Sequence, residues 1–208
     1  MKTKNLWLIL LLVSGLSITA CSPRAKYERM LKHELASGVR NDSLFMGLYL
    51  GMAEKDFYMQ CWKLNKKGLV RQGNLNNSVL YQLKDELVFP SYMDFYPKFT
   101  DGKICEMPVR FLYQGWAPWN KNLSSDKLEE RVLAYYEKQY GKGFIKVNHK
   151  LNGTAWIKVN GNRRITIFKE DEKYVWAQFT DMLVKKDWKN IDATPSKMQN
   201  DTSKSSVK

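Results

Sequence analysis

The leader at residues 1–21 constrains this chain most, because it decides the compartment in which everything after it must fold. Lys2 and Lys4 precede an almost unbroken apolar run from Leu6 to Val13, and the segment closes on Ser17, Thr19 and Ala20 beside Cys21. The run is too short to span a bilayer as an ordinary helix, so it reads as an export signal with residues 1–20 removed and Cys21 at the new N-terminus. Removing residues 1–20 takes away two lysines and no acids, so a net charge of +13 becomes +11. Such a balance favours anionic neighbours, which for an exported protein are lipid head groups, acidic glycans or acidic proteins; nucleic acid is not an expected partner.

Ile18, Thr19, Ala20 and Cys21 resemble the lipobox of bacterial lipoproteins, with Cys21 in the position that becomes diacylglyceryl-modified. The resemblance implies lipidation at Cys21 and a membrane anchor of fatty acyl chains, palmitate among them. Ser22 is unlike the aspartate of inner-membrane retention signals, and Ser22 to Lys26 is unlike the acidic surface-export signal of Bacteroidota. The expected place is the cell envelope, at the outer membrane and facing the periplasm. With Cys21 acylated, Cys61 and Cys105 remain, and an export compartment allows either one disulfide between them or two ordinary buried thiols. There is no C-x-x-C, and His33 and His149 stand far apart in sequence, so no metal or other cofactor is expected.

Turn and capping signals divide the rest. Residues 21–43 hold the lipid anchor and a stem helix, capped by Ser22-Pro23 and stopped by Gly38, with Tyr27, Leu31 and Leu35 on one stripe. Residues 44–115 form a first α+β half. Leu44–Leu50 reads as a buried strand, and a helix follows over 52–67, whose stripe Phe57, Cys61 and Leu64 places Cys61 inside. Strands are expected at 69–71, 79–83, 92–99 and 103–113, with Asp101-Gly102 as a hairpin turn. Residues 116–125, with Trp116, Pro118 and Trp119, form a connector whose tryptophans either stack on a sugar ring or plug the seam between halves. A second half over 126–184 opens on a helix with Asp126 and Glu129 as a capping box, then strands at 144–147, 154–159, 163–169 and 174–180. Residues 185–208 read as a disordered basic tail.

At an offset of 75, Glu54 falls on Glu129, Phe57 on Val132 and Lys67-Gly68 on Lys142-Gly143. The fold class is therefore α+β, with tandem repeats of a helix plus an antiparallel meander. Two-residue turns at Asn160-Gly161 and Asp171-Glu172 put Trp156, Ile165, Ile167, Tyr174 and Trp176 on one sheet face, edged by Lys158, Arg163 and Lys169. A helix covers one face only, so the helices are assigned to the side of Val175, Ala177 and Cys105. The other face becomes the candidate partner-binding surface, with Trp156, Trp176, Tyr174, Lys158 and Arg163 as its residues. Packing of that layer against other parts of the chain is the alternative. The turn at Asp101-Gly102 places Phe95 with Phe99 and Ile104, opposite Met107 and Val109.

No G-x-S-x-G elbow, H-E-x-x-H, P-loop or Rossmann glycine pattern is present, and no enzyme is expected. Gly51-Met52-Ala53-Glu54-Lys55-Asp56-Phe57, with Cys61-Trp62-Lys63-Leu64-Asn65-Lys66-Lys67-Gly68 after it, resembles a stretch of uncharacterised Bacteroidota lipoproteins, a family with no activity to lend. The apolar run followed by Gly-Met and a short helix is similar to the small outer-membrane-assembly lipoproteins of the BamE type. The tandem helix-plus-meander is similar to the beta-lactamase-inhibitor-protein architecture, whose sheet binds another protein. Ala53 stands where the BamE type has a hydroxyl cap, so only fold class is implied. The expected function is a non-catalytic, lipid-anchored envelope protein that presents a sheet surface to a protein or acidic glycan; the alternatives are an envelope-polymer hydrolase and a structural spacer.

Overall fold

The computed structural model describes residues 22–73, 77–149 and 153–185; the leader, Cys21 and the expected tail beyond Lys185 lie outside them. Among the described residues the helices are α1 (Pro23–Ala36), α2 (Glu54–Lys66) and α3 (Ser125–Tyr140). The strands are β1 (Val70–Gln72), β2 (Val79–Leu83), β3 (Ser91–Phe95), β4 (Lys98–Thr100) and β5 (Lys103–Tyr113), then β6 (Ile145–His149), β7 (Gly153–Asn160), β8 (Arg163–Lys169) and β9 (Val175–Asp181). All pair antiparallel in one sheet of order β1-β2-β3-β5-β9-β8-β7-β6, with β4 folded against β5 through the expected Asp101-Gly102 turn. The fold is α+β. A helix followed by antiparallel strands occurs twice along the chain, and the two runs of strands join where β5 pairs with β9, from Glu106–Thr180 to Phe111–Val175.

Both faces of the sheet are covered, each by different helices. On one face Phe95, Met107, Val109, Phe111, Ala177 and Phe179 pack with Phe57 of α2 and with Leu128, Val132 and Tyr136 of α3. Ala177 is on this face, the side to which the sequence assigns the helices. Phe95 lies opposite Val109 and so shares its face, contrary to the hairpin-based expectation. The register shift between Lys98 and Phe99 explains the error, because a bulge breaks the alternation on which such counting relies.

On the opposite face Tyr27 and Leu31 of α1 pack with Ile157, Val159, Phe168 and Trp176. The Ser22 hydroxyl accepts a hydrogen bond from the Ala25 N–H at 3.1 Å, with Pro23 in the first turn, so the helix begins where its capping signals predict. Its role differs from a free-standing stem: it is part of the core. Burying Tyr27 and Leu31 is worth about 2 kcal/mol each, and polar contacts fix the far end. The Glu34 carboxylate accepts from the Gly161 N–H at 2.8 Å, Asn41 donates to Asn162 at 2.7 Å and to Asn160 at 2.6 Å, and Arg40 donates to Asp181 at 3.1 Å. From this clasp at the β7–β8 turn, α1 lies against β7 and β6.

Two further expectations change. Leu44–Leu50 is a folded-back loop, not a strand. The Leu44 N–H donates to the Leu48 carbonyl and the Leu48 N–H to that of Phe45, each at 2.9 Å, because Met46 and Gly47 adopt φ of +52° and +76°. Leu44, Leu48 and Leu50 plug into the main core from this loop. Asp126 and Glu129 form no capping box: α3 starts one residue earlier, Asp126 pairs with Lys169, and Glu129 is buried.

Candidate binding surface

The five residues expected to form a partner surface are not brought together. The β8–β9 connection spans Glu170–Tyr174, with Lys169 opposite Val175, and is not a two-residue turn. That one-residue slip turns every side chain of β9 over. Trp176 consequently lies opposite Phe168 on the α1 face, where it is buried and its indole N–H donates to Glu170 at 2.7 Å. Trp156 stays on the α2–α3 face, half-buried against the main core with the Lys146 ammonium 5.4 Å from its ring centroid. Tyr174 sits in the connection, with the Arg110 guanidinium 4.5 Å over its ring. The two basic residues are structural. Lys158 donates to the Gly141 and Lys142 carbonyls at 2.7 and 2.6 Å, closing the end of α3, and Arg163 donates to the Ser43 carbonyl and stacks on Tyr140.

Cys61 and Cys105 are both free thiols. Cys105 is buried, donates to the Lys98 carbonyl at 3.4 Å and accepts from the Thr100 hydroxyl at 3.1 Å. Cys61 is half-buried, and burial pushes its thiol up to about 11, which keeps it protonated and unreactive at neutral pH. Trp116 plugs the seam, donating to the Glu172 carbonyl at 3.0 Å, whereas Trp119 stands in solvent. His33 is exposed on α1 beside Glu34, and His149 ends β6.

A different surface emerges on α2. Phe57 and Leu64 point into the core, which leaves Tyr58, Met59 and Trp62 on the outward side, 48, 46 and 54 % exposed, with Leu69 beyond the Gly68 turn 47 % exposed. Between α2 and the strands β1 and β2 runs a groove of about 330 Å³, mostly apolar, lined by Phe57, Tyr58, Cys61, Trp62, Val70 and Val79 among others. The Tyr58 and Tyr96 hydroxyls share a hydrogen bond of 2.6 Å, and burial together with that bond raises the Tyr96 phenol, so the pair stays neutral. Lys55, Lys63, Lys66 and Lys67 are exposed on α2 and its C-terminal turn, and the Lys66 ammonium lies 4.0 Å over the Trp62 ring. An aromatic floor with a cationic rim can hold apolar side chains flanked by carboxylates.

No family model, curated protein or solved structure matches this chain. The resemblances to envelope lipoproteins rest on the quoted segments alone. The signal for the α2 surface was present in the sequence, since Tyr58, Met59 and Trp62 recur at i, i+1 and i+4 on the side opposite Phe57, Cys61 and Leu64.

Proposed function

We propose that this is a lipid-anchored, non-catalytic protein of the cell envelope, held at Cys21 on the periplasmic side of the outer membrane, that displays the groove between α2 and β1 to a protein partner. The observation carrying this function is the contiguous exposure of Tyr58, Met59, Trp62 and Leu69 beside an apolar groove. Isolated exposed apolar residues are ordinary, but four together around a concavity mark a contact surface. The position supports it too: α1 packs on β6 and β7, and β1 is the other edge of the sheet. An anchor before Ser22 would hold one edge near the membrane and present the opposite one to the periplasm.

The test is a photoreactive amino acid placed at Met59 in the full chain in intact envelopes, with the same probe at Lys146 on the β6 side as control. A discrete protein adduct from position 59, absent from position 146 and lost with Trp62→Ala, is the expected result. Adducts that do not depend on position or on Trp62 would contradict it.

A further inference from the structure

The ladder between β1 and β2 shows which backbone groups of the edge face outward. The Gly73 N–H donates to the Ser78 carbonyl at 2.8 Å, and the register pairs Arg71 with Leu80 and Gln72 with Val79. In an antiparallel ladder hydrogen-bonded and non-bonded pairs alternate. Gly73–Ser78 and Arg71–Leu80 are therefore bonded pairs, and the N–H and C=O of Val70 and Gln72 are directed away from β2. The Asn65 side-chain amide donates to the Val70 carbonyl at 2.9 Å, which confirms that direction and closes the ladder at its α2 end. Among the described residues, Gln72 is left presenting a donor and an acceptor together along the edge. The side chains of Val70 and Gln72 line the groove, while Arg71 lies on the other face, its guanidinium 5.6 Å from the Tyr92 ring centroid.

We infer that the β1 edge takes an extended segment of the partner as an added strand, with apolar residues in the groove beside Trp62 and acidic residues alternating with them. Directly opposed residues of an antiparallel pair share a face. The partner residue opposite Gln72 thus directs its side chain into the groove, and its neighbours in sequence meet Arg71 on the other face. Lys63, Lys66 and Lys67 add positive charge along the helix side. The complementary segment is one of alternating apolar and acidic residues, paired through its backbone as in other strand-addition complexes. This inference rests on the groove being the partner surface. A bilayer is the weaker occupant, because the seven inter-strand steps from β6 to β1 put this edge roughly 30 Å from the β6 edge, beside which α1 packs.

The experiment titrates the full-length acylated protein in detergent micelles with a fluorescein-labelled nonapeptide of alternating valine and glutamate, against a valine–lysine control. The glutamate peptide should bind at least about tenfold more tightly than the lysine peptide. Gln72→Pro deletes the outward N–H without removing a bond to β2, and should weaken binding about tenfold or more at unchanged melting temperature. If that variant melts early, a glutamate peptide N-methylated on the residues that face β1 replaces it; its loss of binding supports the added strand and its retention overturns it. Equal binding of the two peptides overturns the inference. An effect of Trp62→Ala with none from Gln72→Pro also overturns it, while leaving the groove as the partner surface. Indifference to both variants, with sedimentation on phosphatidylglycerol vesicles lost in Lys66→Glu, would overturn both and assign the patch to lipid.

Discussion

Tyr136 carries its hydroxyl into the main core, ringed by Phe111, Tyr140 and Phe179, and the oxygen has no hydrogen-bond partner among the described residues. A buried hydroxyl without a partner keeps its desolvation cost uncompensated. Tyr136→Phe should therefore leave stability unchanged or raise it by about 1 kcal/mol in urea unfolding, whereas Phe57→Ala should lower it by about 3 kcal/mol or more. Glu129 gives a pH signature. Burial pushes its carboxyl above the ordinary range, with Lys169 and Lys146 opposing. The folded protein then holds a proton at a pH where the unfolded chain has lost it. Its favourable contribution is complete below the ordinary carboxylate value of about 4.3 and is lost as pH rises through the raised one. Unfolding free energies measured from pH 4 to pH 7 should fall less steeply in Glu129→Gln than in the native protein. Burial of a single carboxylate on α3 is not legible in sequence, where Glu129 looks like any first-turn acid beside Glu130; the tertiary environment decides it.

Among the elements, α1 separates the account most cleanly from a free stem. Tyr27→Ala should cost about 3 kcal/mol in thermal or urea unfolding, and an unchanged midpoint would mean that the helix contributes nothing to the core. Gly161→Ala tests the clasp at the other end of α1. Gly161 has φ of +57°, and an added Cβ would lie 2.2 Å from the Val39 carbonyl oxygen, so a loss of about 2 kcal/mol or more is expected. Element identity was largely legible in the sequence. Ser22-Pro23 begins α1, Gly68 ends α2, and β2, β5 and β8 occupy the expected residues, because capping chemistry and two-residue alternation are local. Register was not. Asp171-Glu172 resembles a tight turn, yet Asp171 instead accepts from the Lys173 and Tyr174 N–H groups and opens the connection to five residues. One extra residue there moved Trp176 to the opposite face and dissolved the expected surface. The Leu44–Leu50 loop was missed because a run of apolar residues has the same composition in a buried strand and in a buried loop; only φ at Met46 and Gly47 distinguishes them.

At the scale of the molecule, one antiparallel sheet separates two tasks by its width. The β6 side carries α1, and the β1 side carries α2 with its exposed aromatic groove. Part of the strong positive charge that the sequence shows lies there, with Lys55, Lys63, Lys66 and Lys67 exposed on α2 and its C-terminal turn and Lys66 over Trp62. The central claim is that this edge is occupied in the envelope. The most direct measurement is amide hydrogen exchange of the full-length protein, compared between envelope-derived vesicles and detergent micelles. Exchange at Val70 and Gln72, whose N–H groups face outward, should slow about tenfold or more in envelopes, with Trp62→Ala abolishing the difference. Equal exchange at these two amides in both settings, or new protection confined to the β6 side, would contradict the account.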